Sequence, residues 1–133
     1  MQFVGMNHLA VVLAAAAGFG VGFVWYGILG NAWMTALGKT TAELKPRPAP
    51  FIIAIVALLI AAYMLAGLIG HMGEVTLRNG VISSAFVWTG FVVTSIAVNY
   101  AFQNAKLTLI AIDSGHWLVV LLVMGAVIGA MGV

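Results

Sequence analysis

Asp113 and His116 stand three residues apart in the segment IDSGHW, followed at once by Trp117 and by apolar residues and glycines that carry no further charge to Val133. On a helix that spacing lets a carboxylate and an imidazole face one direction. Asp113 could then act as an acceptor and His116 as a group that changes charge near neutrality, which is the chemistry of proton-linked binding. Asn99 and Gln103 supply neutral partners, and Trp25, Tyr26 and Asn31 with Trp33, and Tyr100 with Asn104, add aromatic and amide groups. Trp88, Val92, Ser95, Asn99 and Gln103 recur at three- and four-residue steps, so a regular helix would carry them as one polar stripe. Groups of this kind are costly in hydrocarbon unless paired, so they are either ties between helices or the lining of a ligand pocket. Aromatic belts at membrane boundaries and amides bonded to neighbouring backbone are the structural alternative, and Asp113 or Ser114 could simply cap the helix that follows.

The elements that must position these residues follow from composition. Hydrophobic residues make up 64% of the 133 and charged residues only 6%, and the mean hydropathy is +1.18; a chain of that kind belongs in a membrane. At about 20 apolar residues per span, the length allows four spans with short loops, placed at 7–29, 51–71, 80–102 and 114–133. The apolar character is continuous within each segment and does not alternate, which favours helices over a barrel. The expected fold is an all-α integral membrane protein: one domain over 1–133, a compact four-transmembrane-helix bundle of two helical hairpins. KPRPAP at 45–50 breaks the chain before the second span, with Pro50 suited to a first-turn position. No cysteine is present, so disulfides and thiolate sites are excluded.

Loop charge orients the bundle. Of five basic residues, Lys39, Lys45, Arg47 and Lys106 fall in the first and third loops and only Arg78 on the other side. The basic side is expected to be cytoplasmic, which puts both termini outside, in the periplasm of a bacterial inner membrane. LAAAAGFG resembles a signal-peptide end, but no basic residue precedes it and the apolar run continues to Leu29, so an uncleaved first span is expected. Small residues recur every four positions at Ala10, Ala14, Gly18 and Gly22, at Ala62, Ala66 and Gly70, and at Gly125 and Gly129. Such stripes let helix backbones approach, within the bundle or between copies. LIGHMG at 68–73 and VIGAMG at 127–132 end the second and fourth spans alike, and Gly-Phe recurs at 18–19 and 90–91, as a parallel internal repeat would require. His8 and His71 lie near the outer face on different helices and could reach a haem or metal in geometry, but two histidines without further ligand spacing assign no site. No phosphate loop, nucleophile elbow or HExxH motif occurs. No cofactor is expected, and a net charge of +2 expresses loop topology, not nucleic-acid binding.

GFVWYGILGNAWMTALG at 22–38 and VNYAFQNAKLTLIAIDSGHWLVVLLVMGAVIGAMG at 98–132 resemble the bacterial membrane-protein family catalogued as domain of unknown function 1761. The distinctive parts are Trp25-Tyr26 with Trp33 and Gly38, the Asn99-Tyr100 segment with Phe102, and the Asp113, Gly115, His116, Trp117 segment. The resemblance implies a small four-helix membrane protein and carries no catalytic role. Two functional classes follow from the residues. One is a cytoplasmic-end site that binds or transports a small solute, ion or lipid head group. The other is an accessory subunit that packs against a larger membrane complex. Beyond the lipid bilayer itself, the expected partner is a second copy or a complex subunit. An enzyme ranks third, because no nucleophile or metal constellation accompanies Asp113 and His116.

Overall fold

The computed structural model describes residues 5–133, so the expected location of Met1 lies outside the described residues. Five α-helices form: α1 at His8–Leu37, α2 at Pro48–Met72, α3 at Leu77–Val87, α4 at Val93–Phe102 and α5 at Leu107–Met131. A π turn, Trp88–Val92, joins α3 to α4 in one span. The result is four spans long and apolar enough to cross a membrane, His8–Leu37, Pro48–Met72, Leu77–Phe102 and Leu107–Met131. The protein is an all-helical integral membrane protein. Its large exposed apolar side chains, Phe23, Ile28, Phe86, Phe91 and Phe102 among them, are the surface such a bundle turns toward lipid.

Local chemistry sets the helix ends. Asn7 caps α1 by accepting from the Ala10 N–H at 3.1 Å. At the other end Gly38, with φ 72°, and Lys39 donate to the carbonyls of Thr35 and Met34, each at 3.1 Å. That is a Schellman closure, which needs a left-handed residue after the helix. Asn104, with φ 55°, closes α4 the same way: it donates to Ala101 and Ala105 donates to Tyr100. Thr76 caps α3 through the Asn79 N–H, and two prolines of KPRPAP, Pro48 and Pro50, stand in the first turn of α2, which begins at Pro48, two residues before Pro50.

The fourth span differs from the sequence expectation. It starts at Leu107, not at 114, because LTLIAI contains no breaker and the helix runs back to Lys106. Asp113 and Ser114 are therefore inside α5 and cap nothing. The Ser114 hydroxyl instead donates to the Ile110 carbonyl at 2.5 Å, the usual way a serine is satisfied within a membrane helix. α1 likewise continues eight residues past 29.

α5 is the central helix, with α1 on one side and α3 on the other, and α2 lies chiefly against α1. Ala14, Ala62, Val120, Met124 and Ile128 are wholly buried between them. The closest approach is α3 on α5. A Cβ at Gly80 would fall on the Gly125 carbonyl, one at Gly125 on Ser84 and Gly80, and one at Gly129 on the Thr76 carbonyl. Without side chains at these positions the two backbones reach contact that lipid-exposed helices cannot obtain from a hydrophobic drive. Gly18 is also a packing residue, with room for nothing beyond Met124, Leu58 and Val120, and Ala66 is buried. Gly70, expected in the α2 stripe, is exposed; Gly67 takes the buried place because Ala62, Leu65, Ala66 and Ile69 set the inward face. The two Gly-Phe pairs do different work, Gly18 being buried and Gly90 exposed.

The third span carries the other correction. A regular helix continuing from the buried face of Gly80 and Ser84 would turn Trp88, Ser95, Asn99 and Gln103 inward. The π turn holds one residue more than an α turn, which rotates everything after it by about 100°. The inward residues become Trp88, Val92, Ile96 and Tyr100, all half-buried, while Ser95, Asn99 and Gln103 are exposed. Ser95 and Thr94 satisfy their hydroxyls on the carbonyls of Phe91 and Gly90, at 2.6 and 2.9 Å.

Candidate functional site

The polar residues that do come together surround Asp113, which is 9% exposed. It lies in the second turn of α5, toward the end of the bundle that carries the loops 38–47 and 103–106. The Tyr26 hydroxyl donates to its Oδ1 at 2.6 Å and the Tyr100 hydroxyl to its Oδ2 at 2.7 Å. Both lengths are those of short, well-formed O–H···O hydrogen bonds. One side chain thus joins three helices, α1, α4 and α5. Both carboxylate oxygens are met by phenols and neither by a cation.

Two tryptophans frame this arrangement from the backbone. Trp25 Nε1 donates to the Ile112 carbonyl at 3.0 Å and Trp88 Nε1 to the Ser114 carbonyl at 2.8 Å. Each indole is half-buried and satisfies its single donor on a carbonyl of α5 next to Asp113. The Trp25 ring lies over Gly115, where an added Cβ would be 3.0 Å from Cζ2. Adjacent on α1, Trp25 and Tyr26 straddle α5 and fix the height of α1 against it.

His116 follows Asp113 on the same helix and packs between rings, with its centroid 5.0 Å from Tyr26 and 5.1 Å from Trp117. Its Nδ1 is buried and has no hydrogen-bond partner among the described residues. Its Nε2 faces Gly22, where an added Cβ would be 3.0 Å away. Gly22 therefore makes space for an imidazole. Trp33 stands edge-on to Tyr26 at 5.7 Å.

Of the residues singled out from sequence, Asp113, His116, Trp117, Trp25 and Tyr26 are brought together. Asn99, Gln103 and Asn31 are not; all three are exposed. Asn31 lies five residues beyond Tyr26 on the projecting end of α1, and the π turn directs Asn99 away. Tyr100 and Trp88 are the partners that spacing alone ranked too low, because their joint register depends on that turn. Among the described residues no group of three or more His, Cys, Asp or Glu could hold a metal ion; exposed His8 stacks on Tyr63 at 6.0 Å. An apolar cleft lies against Trp25, lined by Gly20, Val24, Ile28 and Val119.

No curated protein and no solved structure matches this chain. A family model described as protein of unknown function (DUF1761) matches residues 9–129, from the first turn of α1 almost to the end of α5 and across the whole Asp113 cluster. The chain belongs to the DUF1761 family.

Proposed function

We propose that the Asp113 cluster is a membrane-embedded site that binds or transports a small cationic solute or ion, with its mouth at the cytoplasmic end of the bundle. The observation that carries this reading is a buried carboxylate that, among the described residues, has no cationic partner, beside a buried imidazole nitrogen that has no hydrogen-bond partner among them. Burying either group costs several kcal/mol in general unless its charge or hydrogen bond is met. A structural tie alone would be made more cheaply by neutral groups, as the two indoles of this same cluster do. Ligand binding gives the charge a use: a cation can approach Asp113, while His116 takes up or releases a proton alongside it.

The test uses Asp113→Asn and His116→Gln, which keep shape and hydrogen bonding but remove the charge and the titrating group. Protein extracted gently in native lipid would be examined by mass spectrometry for bound small molecules. The double variant is expected to lose a bound species that the original retains, at unchanged helix content. Equal retention would remove the site. Orientation is tested separately with single cysteines at Thr40 and Asn79 in this cysteine-free chain: Asn79 is expected to label from outside intact cells and Thr40 not.

One observation favours a second reading. Tyr26 and Tyr100 satisfy both oxygens of Asp113 and so lock α1, α4 and α5 together, as an accessory subunit that only packs against a larger complex would need. A defined partner chain at fixed stoichiometry in the same extraction would support it.

A further inference from the structure

The third span carries two inward stripes superposed. With the π turn in place, Trp88, Val92, Ile96 and Tyr100 face the bundle; without it, Ser95 and Asn99 would occupy the places of Ile96 and Tyr100. We infer that α4 exchanges between these two registers about the π turn at Trp88–Val92, and that the second register replaces Tyr100 by Asn99 beside Asp113, opening the carboxylate to a small inorganic cation or hydronium. The inference rests on the reading of Asp113 as a ligand site and says how that site is opened.

Three features of the molecule make the exchange cheap. α4 has no fully buried residue, so the observed register is not held by a packed core. The observed register leaves the Asn99 amide exposed on a membrane-spanning helix, a cost that the second register removes. The loop after α4 is exposed and turns at Asn104 with φ 55°, so it can take up a rotation of about 100° and a slide of about 1.5 Å. Against these stands the bond from Tyr100 to Asp113, which the observed register keeps. π turns are frequent at functional sites, and carbonyls of this one, Gly90 and Phe91, accept from the Thr94 and Ser95 hydroxyls.

The chemistry at Asp113 differs between the two registers. Tyr100 offers the carboxylate a donor and fills the space beside Oδ2 with a ring. Asn99 is shorter and also presents a carbonyl oxygen, so the vacated space is lined by carboxylate and amide oxygens, the donor set of small hard cations. Tyr26, on α1, keeps Oδ1 in both registers. Tyr100 is thus a positioning residue for the site, the moving half of a pair whose fixed half is Tyr26.

Access to Asp113 can be read with N,N′-dicyclohexylcarbodiimide, a lipid-soluble reagent for protonated carboxyl groups, by following the adduct at Asp113 in the purified protein and mapping it apart from exposed Glu43 and Glu74. Deleting Gly90, whose Cβ position is open, removes the extra residue of the π turn and leaves Tyr100 in its observed place with no second register. Labelling of Asp113 should then fall well below that of the original chain. Tyr100→Phe should raise it about fivefold, the population shift that one ordinary hydrogen bond represents. Sodium ions at fixed pH should slow labelling of the original chain if the ligand is an alkali cation; labelling that sodium leaves unchanged but that the Gly90 deletion lowers names hydronium, and labelling that responds to pH alone, with no effect of sodium or of the deletion, counts against an opened oxygen site. If the deletion and Tyr100→Phe both label at the original rate, the exchange of registers is wrong. Should the deletion fail to fold, 3-fluorotyrosine labelling decides: Tyr100, assigned by its loss in Tyr100→Phe, should show two exchanging environments, and a single environment at every temperature overturns the proposal. Register-dependent labelling combined with full retention of the bound species in the Asp113→Asn, His116→Gln double variant would leave the register exchange standing and sink the binding function instead.

Discussion

The two halves of the third span, α3 and α4, are built on opposite terms although they are one continuous helix in the membrane. α3 meets α5 through Gly80 and Ser84 against Gly125 and Gly129, where no added carbon fits. α4 buries no residue completely and touches α5 mainly through one phenol on one carboxylate. The first half is held by shape, which is non-directional, short in range and lost with a single methyl group. The second is held across to α5 by a single directed polar bond, which tolerates movement of everything except its end atoms. A tightly packed half thus stands beside a half held at its end atoms, and the polar cluster sits beside the second.

The strongest way to break this contrast is at the tight crossing. Gly80→Val or Gly125→Val should cost about 3 kcal/mol, the upper part of the overpacking range, and a thermal melt in detergent would register it; Gly90→Ala in the π turn, where a Cβ meets nothing, should be neutral or slightly stabilising. Next comes the polar tie. Asp113→Leu leaves the Tyr26 and Tyr100 hydroxyls without acceptors and should cost about 2 kcal/mol, an ordinary penalty for buried donors left unmatched, while Asp113→Asn should recover much of it in the same melt.

A smaller effect is expected at Gly22. An alanine there would place its Cβ 3.0 Å from His116 Nε2, and moving the ring should cost about 1 kcal/mol. That loss should vanish in the background of His116→Ala, so a double-mutant cycle measures the coupling directly. The smallest effect belongs to Asn99→Leu. The side chain is exposed in the observed register, so the change should alter stability by no more than about 0.5 kcal/mol. A large loss would mean that Asn99 spends most of its time inside the bundle.

That last expectation reverses what the sequence suggests for Asn99, and the reason is instructive. Four spans, two hairpins, the Gly18, Gly125 and Gly129 contacts and the pairing of Trp25 and Tyr26 with Asp113 and His116 are all legible from hydropathy and three- to four-residue spacing, because each depends on a helix of regular pitch. The start of α5 at Leu107 was hidden because a polar residue inside a membrane helix resembles a polar residue at its head. Spacing misplaces Asn99, Gln103 and Tyr100 for one common cause: a π turn changes no residue type and leaves no mark in hydropathy, yet it shifts the phase of all that follows. Gly80 was missed as a packing residue because it sits where a span boundary and a close contact look alike. Gly70 was overrated because a four-residue stripe does not say which neighbour it faces.

α1 has a further consequence. Its 30 residues amount to roughly 45 Å of helix at 1.5 Å per residue, against a hydrocarbon layer about 30 Å thick. The excess lies beyond Tyr26, where Asn31 and Thr35 can meet lipid head groups, or else α1 leans. A thinner bilayer forces more lean, and Trp25 and Tyr26 pass that lean to α5 at Ile112 and Asp113. Membrane thickness should therefore reach the carboxylate mechanically: the same chain in short-chain and long-chain lipid is expected to present Asp113 at different depths, with the longest helix acting as the lever.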